Sequence, residues 1–389
     1  MRRHLTLIGI YASIFPAMLG NGMVMALLPG RVMEMTGSVS AVGGIASAFA
    51  LSYLLLQLPL GRLGDRYGFK LLLVSGYGLC GASGLIYLRA DSTAAIYLGR
   101  LLQGAGEVPL WALAAAMLSI AYPDQKGRVL GGYNALFHLG LFAGPMAGLL
   151  AGRWGGSYNG AFCFYATASF TGAFLVGALV SEPSDKKETT IVPMGSNTRL
   201  SLCDPNRSRR TLCGICIYGM AYGIMLTVVP AFLSVEKGFD QTAISFFFSL
   251  FFIAVSVSQL IAGPLCDRGL RRPCMNTGLF CAAGGLAAAA VSNGAFAMAA
   301  LGTACLGLGG YHVASLIELN EAAPADMKGA VSGAYYLLWG MGYFAGPLAA
   351  GMLCDWLGGA FGLVLPAGLL AVSALSLVFG GSVGKDTMP

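Results

Sequence analysis

Four polar residues recur along one stretch of an otherwise apolar sequence: Arg100, Gln103, Glu107 and Trp111. Spacings of three, four and four residues place these side chains along one face of an α-helix. Ionisable side chains are costly in apolar spans and face protein or water there. Because burial disfavours a charged carboxylate, Glu107 is a candidate for gaining and losing a proton. Arg100, a second candidate for proton coupling, lies about 10 Å away along the helix axis, so the two need not pair directly. The alternative is a buried structural pair.

Other polar residues in apolar stretches are weaker candidates, because aromatic packing and interhelical hydrogen bonds also account for them. His138 lies one helical turn after Asn134 and is a third candidate for proton coupling. Cys213 and Cys216 have the spacing of a metal knuckle but lack a second ligand pair, so we expect no metal site and no cofactor. Candidates for contact with a bound molecule are Asn21, Gln103, Trp111, Asn134, Tyr222 and His312.

Long apolar runs must position these residues. The chain is 56% apolar and only 10% charged, whereas a soluble protein has roughly 25% charged residues. Runs of about 18 to 28 residues can cross a hydrocarbon core of roughly 30 Å as helices. The sequence therefore predicts an all-α integral membrane protein with twelve transmembrane helices. We place these near 5–29, 41–60, 70–88, 94–121, 129–152, 159–180, 211–234, 242–263, 273–291, 295–318, 331–353 and 359–381.

The sequence also repeats itself at an offset of 202 residues. The segment 57–66 reappears as 259–268, and Phe-Ala-Gly-Pro at 142–145 reappears at 344–347. This shift predicts two pseudo-symmetric six-helix halves, 1–180 and 211–389, joined by a hydrophilic cytoplasmic linker at 181–210. Paired halves in a hydrophobic chain indicate a transporter whose substrate site lies between them.

Basic residues are concentrated in alternate loops, on the side that holds both termini in the predicted topology. The positive-inside rule then places both termini in the cytoplasm. The net charge of +6 reflects this orientation, and we expect no nucleic-acid binding. We expect a monomer in the lipid bilayer of a bacterial inner membrane.

The segment from Gly61 to Lys70, GRLGDRYGFK, resembles the signature loop of the major facilitator superfamily, G-x-L-x-D-R-x-G-R-K, with Phe69 replacing the usual Arg. The segment 263–272 is similar to the family's reduced second copy. The resemblance implies the twelve-helix fold and a transporter, not an enzyme. It also implies a conformational latch, for which a static anchor of positive charge is the alternative. The latch residues would be Gly61, Asp65, Arg66, Gly68, Lys70, Asp267 and Arg268.

Two further motifs extend the resemblance. The segment 100–106 resembles the family's fourth-span motif R-x-x-Q-G-x-G, whose Arg is implicated in proton coupling or substrate contact. The segment 140–148 resembles the G-x-x-x-G-P-x-x-G motif of the drug/proton antiporter branch, and span 11 repeats part of it. Small residues allow close helix contact and Pro bends a helix, so we predict a pliable interface between the halves. Its residues would be Gly140, Gly144, Pro145, Gly148, Gly346 and Pro347.

Three functions fit this sequence. The favoured one is proton-coupled export of a small amphipathic metabolite or drug by alternating access, with a small molecule and protons as partners. The second is a proton-linked importer of a small solute, anionic if Arg100 or His312 meets its charge. The third is a transporter-like membrane receptor without turnover. Drug antiporters often carry an acid in span 1, where this chain has Asn21, so the expected proton site moves to Glu107.

Overall fold

A computed structural model describes residues 2–57, 59–122, 125–155, 158–182, 205–321 and 328–379, and these are almost entirely helical. The first half contains α1 (Arg2–Thr36), α2 (Val39–Gln57), α3 (Leu60–Tyr67), α4 (Phe69–Arg89), α5 (Thr93–Ala121), α6 (Lys126–Gly155) and α7 (Asn159–Leu179). The second contains α8 (Pro205–Leu226), α9 (Val228–Val235), α10 (Gln241–Asp267), α11 (Arg271–Val291), α12 (Gly294–Glu321), α13 (Lys328–Leu357) and α14 (Gly359–Phe379). Most of the predicted linker lies outside the described residues.

The helices account for the twelve predicted spans and so confirm the predicted all-α membrane fold. Within the described residues, ten helices are long and apolar enough to cross a membrane, and α8 with α9 forms one further, bent span. Helix α6, with 30 residues, covers the remaining predicted span. The first predicted span ends too early, because α1 continues to Thr36.

Two local features differ from the prediction. The signature loop contains a short helix, α3. It is followed by Gly68 with φ of +85°, a backbone conformation that favours glycine. The seventh span is bent by 40° between α8 and α9. Pro230 explains this bend, because it lacks the N–H that would bond to the carbonyl of Leu226. At the bend, the hydroxyl of Thr227 donates a hydrogen bond to the carbonyl of Gly223 at 2.8 Å.

The described residues form two compact units. Of these residues, the first unit comprises those within 2–37, 48–182 and 240–249, and the second those within 38–47, 205–239 and 250–379. Each unit therefore includes a stretch of the opposite repeat. The start of α2 belongs to the second unit and the start of α10 to the first, and these two stretches lie 202 residues apart.

Glycines allow the helices of each unit to pack closely. In the first unit, a Cβ on Gly106 of α5 would lie 2.6 Å from the carbonyl oxygen of Gly76 on α4. In the second unit, a Cβ on Gly278 of α11 would lie 2.7 Å from the carbonyl oxygen of Gly307 on α12. Any larger residue would separate these helix pairs, so both units share one way of joining their helices.

The predicted interface motif has two faces. Its glycines face helices of their own repeat: a Cβ on Gly140 would lie 2.9 Å from the carbonyl of Phe15, and Gly144 lies against Leu19. Gly148 packs beside Met23 and Gly346 beside Met220. The motif's prolines lie near glycines of the same repeat, Pro145 beside Gly22 and Pro347 beside Gly223.

The other face of the motif binds the stretch contributed by the opposite repeat. In the first unit, the hydroxyl of Ser249 donates to the carbonyl of Phe142 at 2.9 Å. In the second unit, the hydroxyl of Ser47 donates to the carbonyl of Phe344 at 2.5 Å. Both bonds join residues that the 202-residue repeat relates, so the two copies use the same contact.

Candidate functional site

The four polar residues of α5 lie in one place, as their spacing predicts. Helix α5 begins after Ser92, whose side chain accepts a hydrogen bond from the backbone N–H of Ala95 at 3.4 Å. Three of its polar side chains are fully buried: Arg100 is 2% exposed, Gln103 0% and Glu107 1%. Their burial in the first unit makes every hydrogen bond among them energetically important, since water cannot replace a lost partner.

Glu107 accepts hydrogen bonds at both carboxyl oxygens. Oε1 accepts from Asn21 Nδ2 and from Gln103 Nε2, each at 2.9 Å. Oε2 accepts a longer bond, 3.3 Å, from Trp111 Nε1. Every partner is a donor, so the arrangement fits a carboxylate and leaves Oε2 as the less saturated oxygen. A proton can therefore add at Oε2 with less disturbance than at Oε1.

Gln103 connects the two charged residues of the site. Its Nε2 also donates to Asn21 Oδ1 at 2.7 Å. Its Oε1 accepts from the hydroxyl of Tyr87 at 2.7 Å and from Arg100 Nη1 at 3.0 Å. The amide is thus fixed with oxygen towards Arg100 and nitrogen towards Glu107, and it links the opposite charges through polarised hydrogen bonds.

Arg100 and Tyr87 complete the buried network. The guanidinium of Arg100 lies 4.8 Å from the centroid of the Phe49 ring, a cation–π distance. Tyr87, on α4, is fully buried. Tyr87 was not among the predicted site residues, because it lies 16 residues from Gln103 on another helix and no spacing rule connects the two positions.

Trp111 is the partly accessible member of this site, with 38% of its surface exposed. Its ring makes an edge contact with Phe137 at 5.2 Å and another with Tyr53 at 6.4 Å. Both neighbours are buried, at 7% and 4% exposure. The indole therefore has a fixed position, with its N–H on the buried carboxyl and part of its ring accessible.

The other candidates of the first unit do not extend this network within the described contacts. Asn134 is exposed on α6. His138 is half-buried, and its ring makes an edge contact with Phe137 at 5.5 Å. His138 stands close to the aromatic neighbours of Trp111 and reaches Glu107 through no described hydrogen bond.

The second unit brings its two candidates into an aromatic cluster. His312 Nδ1 lies 3.1 Å from Gln259 Nε2, and the imidazole stacks on Tyr218 at 5.7 Å. Tyr222 makes edge contacts with Phe251 at 5.0 Å and Trp339 at 5.7 Å. Tyr218 and Phe251 are almost fully buried, so the two candidates lie inside a closely packed aromatic cluster.

The first signature loop is partly described. Arg66 is exposed, with its guanidinium 5.2 Å from the ring centroid of Tyr67. Glu182 accepts from the backbone N–H groups of Phe69 at 2.8 Å and Lys70 at 2.9 Å, which caps α4 with a negative charge. Glu182 follows α7, and no motif or spacing in the sequence indicated its role as this cap. The surroundings of Gly61 and the side chain of Asp65 lie outside the described part, so the latch remains a prediction.

The second signature loop carries ion pairs. Asp267 and Arg268 are exposed at the end of α10. Arg271, in the next helix, pairs with Glu321 and lies 3.8 Å from Glu318. Arg272 lies 3.9 Å from Glu318, which is only 6% exposed. These contacts hold the start of α11 against the end of α12 within the second unit.

The fold and these motifs agree with a comparison of the sequence with known families. The model of the Major Facilitator Superfamily matches residues 10–208 and 211–386. The chain therefore belongs to the major facilitator superfamily. It is an integral membrane transporter, and this family does not consist of enzymes.

Relatives include resistance proteins. The chain is 25% identical to multidrug resistance protein 2 of Bacillus subtilis strain 168 over 67% of this chain and 66% of that protein, just under two thirds of its length. It is 28% identical to the MFS-type transporter YhhS of Escherichia coli strain K12, over 96% of this chain and 92% of that protein. It is also 28% identical to the class C tetracycline resistance protein of Escherichia coli, over 69% of each chain.

Solved structures share the fold at low sequence identity. A bacterial homologue of the human lysosomal transporter Spinster, in an inward-facing and occupied conformation, superposes with a TM-score of 0.80 at 14% identity, covering 98% of this chain and 97% of that one. The nucleoside transporter NupG (D323A mutant) superposes with a TM-score of 0.82 at 11% identity, covering 96% and 99%. These likenesses establish the architecture alone.

Proposed function

We propose that this protein is a proton-coupled antiporter that exports a small amphipathic molecule by alternating access. The observation that carries this proposal is Glu107, a carboxyl group 1% exposed inside a membrane-spanning helix and held by three hydrogen-bond donors. A membrane protein keeps such a costly group where function requires it. Protonation and deprotonation of Glu107 are the steps that the proposal assigns to the site.

The surrounding network suits a group that changes its charge. Asn21 and Gln103 donate to Oε1 and stabilise the carboxylate, while Arg100 supplies a compensating positive charge through Gln103. The single longer bond at Oε2 leaves that oxygen able to take up a proton. Both charge states of Glu107 are therefore accessible without exposing the network to lipid.

One sequence motif and two relatives favour export over import. The antiporter-type motif at 140–148 and the relatives named for multidrug and tetracycline resistance both support an exporter. A proton-linked importer would use the same carboxyl. The direction of proton-driven movement distinguishes the two functions.

The test uses sealed, inverted membrane vesicles with an imposed pH gradient, and measures uptake of ethidium and tetracycline. Wild-type vesicles are expected to accumulate at least one of them when the interior is acidic. Glu107→Gln should retain binding and lose gradient-driven accumulation, because a neutral amide keeps most hydrogen bonds and carries no exchangeable charge. Glu318→Gln is the matched control, since it removes another buried acid that lies outside the network.

Two outcomes contradict the proposal. Gradient-driven accumulation by Glu107→Gln at the wild-type rate removes Glu107 from proton coupling. Comparison of cell contents and spent medium from cells lacking the protein tests the direction: a compound trapped inside supports export, and one left unused outside shows import.

A further inference from the structure

The part of Trp111 that is accessible lies away from the lipid-facing side of α5. Leu98, 52% exposed, marks the outward stripe of this helix. At 3.6 residues per turn, the thirteen residues from Leu98 to Trp111 place the two side chains about 140° apart around the axis. Glu107 is one turn before Trp111 and shares its side. The accessible indole surface therefore belongs to the side of α5 that carries the polar network.

The indole N–H and a proton act on the same oxygen. Trp111 Nε1 donates to Glu107 Oε2 at 3.3 Å, whereas Oε1 already accepts two bonds at 2.9 Å. A proton added to a lone pair of Oε2 turns a carboxylate oxygen into a hydroxyl, which is a much weaker acceptor. Protonation of Glu107 therefore weakens the hydrogen bond from the indole N–H of Trp111 to Oε2. The step adds a proton and breaks no covalent bond of the protein.

We propose that Trp111 transmits the protonation state of Glu107 to the substrate: the substrate packs on the accessible indole, and the indole N–H reports the charge of Oε2. This inference rests on the proposed function of Glu107. Among the network residues described above, Trp111 alone combines a bond to the carboxyl with an accessible surface. Protonation of Glu107 loosens the indole on which the substrate packs, so proton binding weakens substrate binding. Coupling between two bound ligands is reciprocal, so substrate binding weakens proton binding by the same factor.

The first test needs no substrate. Replacing Trp154, Trp339 and Trp356 by Phe leaves Trp111 as the sole tryptophan of the chain's four. Its fluorescence emission is expected to shift with pH, with the same midpoint as the infrared band of the protonated carboxyl of Glu107. Glu107→Gln should abolish both changes. If the triple variant does not fold, the difference in emission between wild type and Trp111→Phe gives the same quantity.

The outcomes separate this inference from the function on which it rests. A carboxyl band that titrates while Trp111 emission stays constant overturns the inference and leaves Glu107 as the proton site. A carboxyl band of Glu107 that does not titrate contradicts the proposed function, and the inference falls with it.

The second test measures, in the vesicle assay, the pH dependence of the KM for whichever of ethidium and tetracycline the wild-type vesicles accumulate. Trp111→Phe keeps an aromatic surface and removes the N–H, so KM should stay within about threefold at one pH while its dependence on pH becomes flat. Trp111→Ala should raise KM about tenfold, through loss of the aromatic contact. Trp356→Phe, at a 79% exposed position on α13, should keep the wild-type pH dependence. A wild-type pH profile in Trp111→Phe overturns the inference.

Discussion

The polar network of α5 differs sharply from the equivalent region of the second repeat. Packing relates the two regions, because Gly106 approaches Gly76 in the first unit and Gly307 approaches Gly278 in the second. Gly106 of α5 and Gly307 of α12 are therefore equivalent, which gives an offset of 201 residues between these two helices. The buried network residues then correspond to apolar ones: Arg100 to Leu301, Gln103 to Ala304 and Glu107 to Leu308, all three of which are fully buried.

The remaining partners also change character between the copies. Asn21 corresponds to Tyr222, since Gly22 packs beside Pro145 and Gly223 beside Pro347. Trp111 corresponds to His312. The second copy thus builds the same helix packing with Leu and Ala at the core and aromatic groups around it. The second copy keeps this packing without a carboxyl network, which supports the proposal that the network of the first copy serves function.

The largest expected effect comes from breaking the network at one point. Glu107→Leu gives the first copy the residue of the second but removes the carboxylate that the buried network holds. We expect this variant to lose about 3 kcal/mol of stability, because removing one charged member of a buried network of opposite charges is strongly destabilising. Thermal unfolding of the purified protein in detergent measures the loss as a lower Tm than that of the wild type.

Converting the whole buried set should cost less than converting one member. The triple variant Arg100→Leu, Gln103→Ala and Glu107→Leu reproduces the core of the second copy and removes both charges together. It leaves Asn21, Tyr87 and Trp111 short of partners, at about 1–3 kcal/mol each. The single variant already loses the bonds of Asn21 and Trp111 to the carboxylate, and it keeps a buried charge as well. We expect a higher Tm than that of Glu107→Leu, with no proton-driven uptake. A triple variant less stable than the single one would show that the two copies do not share a core.

A smaller effect is expected from the second copy's aromatic cluster. His312→Asn keeps a hydrogen-bonding atom near Gln259 and removes the stacking on Tyr218 at 5.7 Å. We expect the KM for the accumulated compound, ethidium or tetracycline, to rise about threefold, from the loss of a contact worth about 0.5–1.5 kcal/mol. The pH dependence of uptake should stay unchanged. A flattened pH profile in this variant would place proton coupling in the second copy as well.

The smallest effects should be equal in the two repeats. Ser47→Ala and Ser249→Ala each remove one hydrogen bond to a carbonyl, that of Phe344 or Phe142. We expect each to cost about 1 kcal/mol. The shift in Tm of each variant tests this equality. A large difference would show that the two contacts are not equivalent in strength. In that case Asp355 is the residue to examine next, because it adds a second contact in the second unit: its carboxylate accepts from the backbone N–H groups of Val39 at 2.9 Å and Ser40 at 3.0 Å.

Local features of the fold were readable from the sequence because they depend on neighbouring residues. Long apolar runs gave the spans, and spacing by helical turns placed Arg100, Gln103, Glu107 and Trp111 on one face. Pro230 also indicates the bend in the seventh span, although we predicted one continuous helix there. The helix α3 was missed because its sequence, LGRLGDRY, is short and polar.

The sequence by itself determined the membrane class, the two repeats and the helix that carries the charged residues. Hydropathy, helical period and repeat offset are properties of the chain alone. Only the tertiary structure decided that Asn21 donates to Glu107, that Tyr87 joins through Gln103, and that Trp111 combines the carboxyl bond with an accessible ring. Asn21 is 86 residues from Glu107 in the chain, and Tyr87 is 16 residues from Gln103. Close packing of separate helices creates such contacts, and no local pattern encodes them.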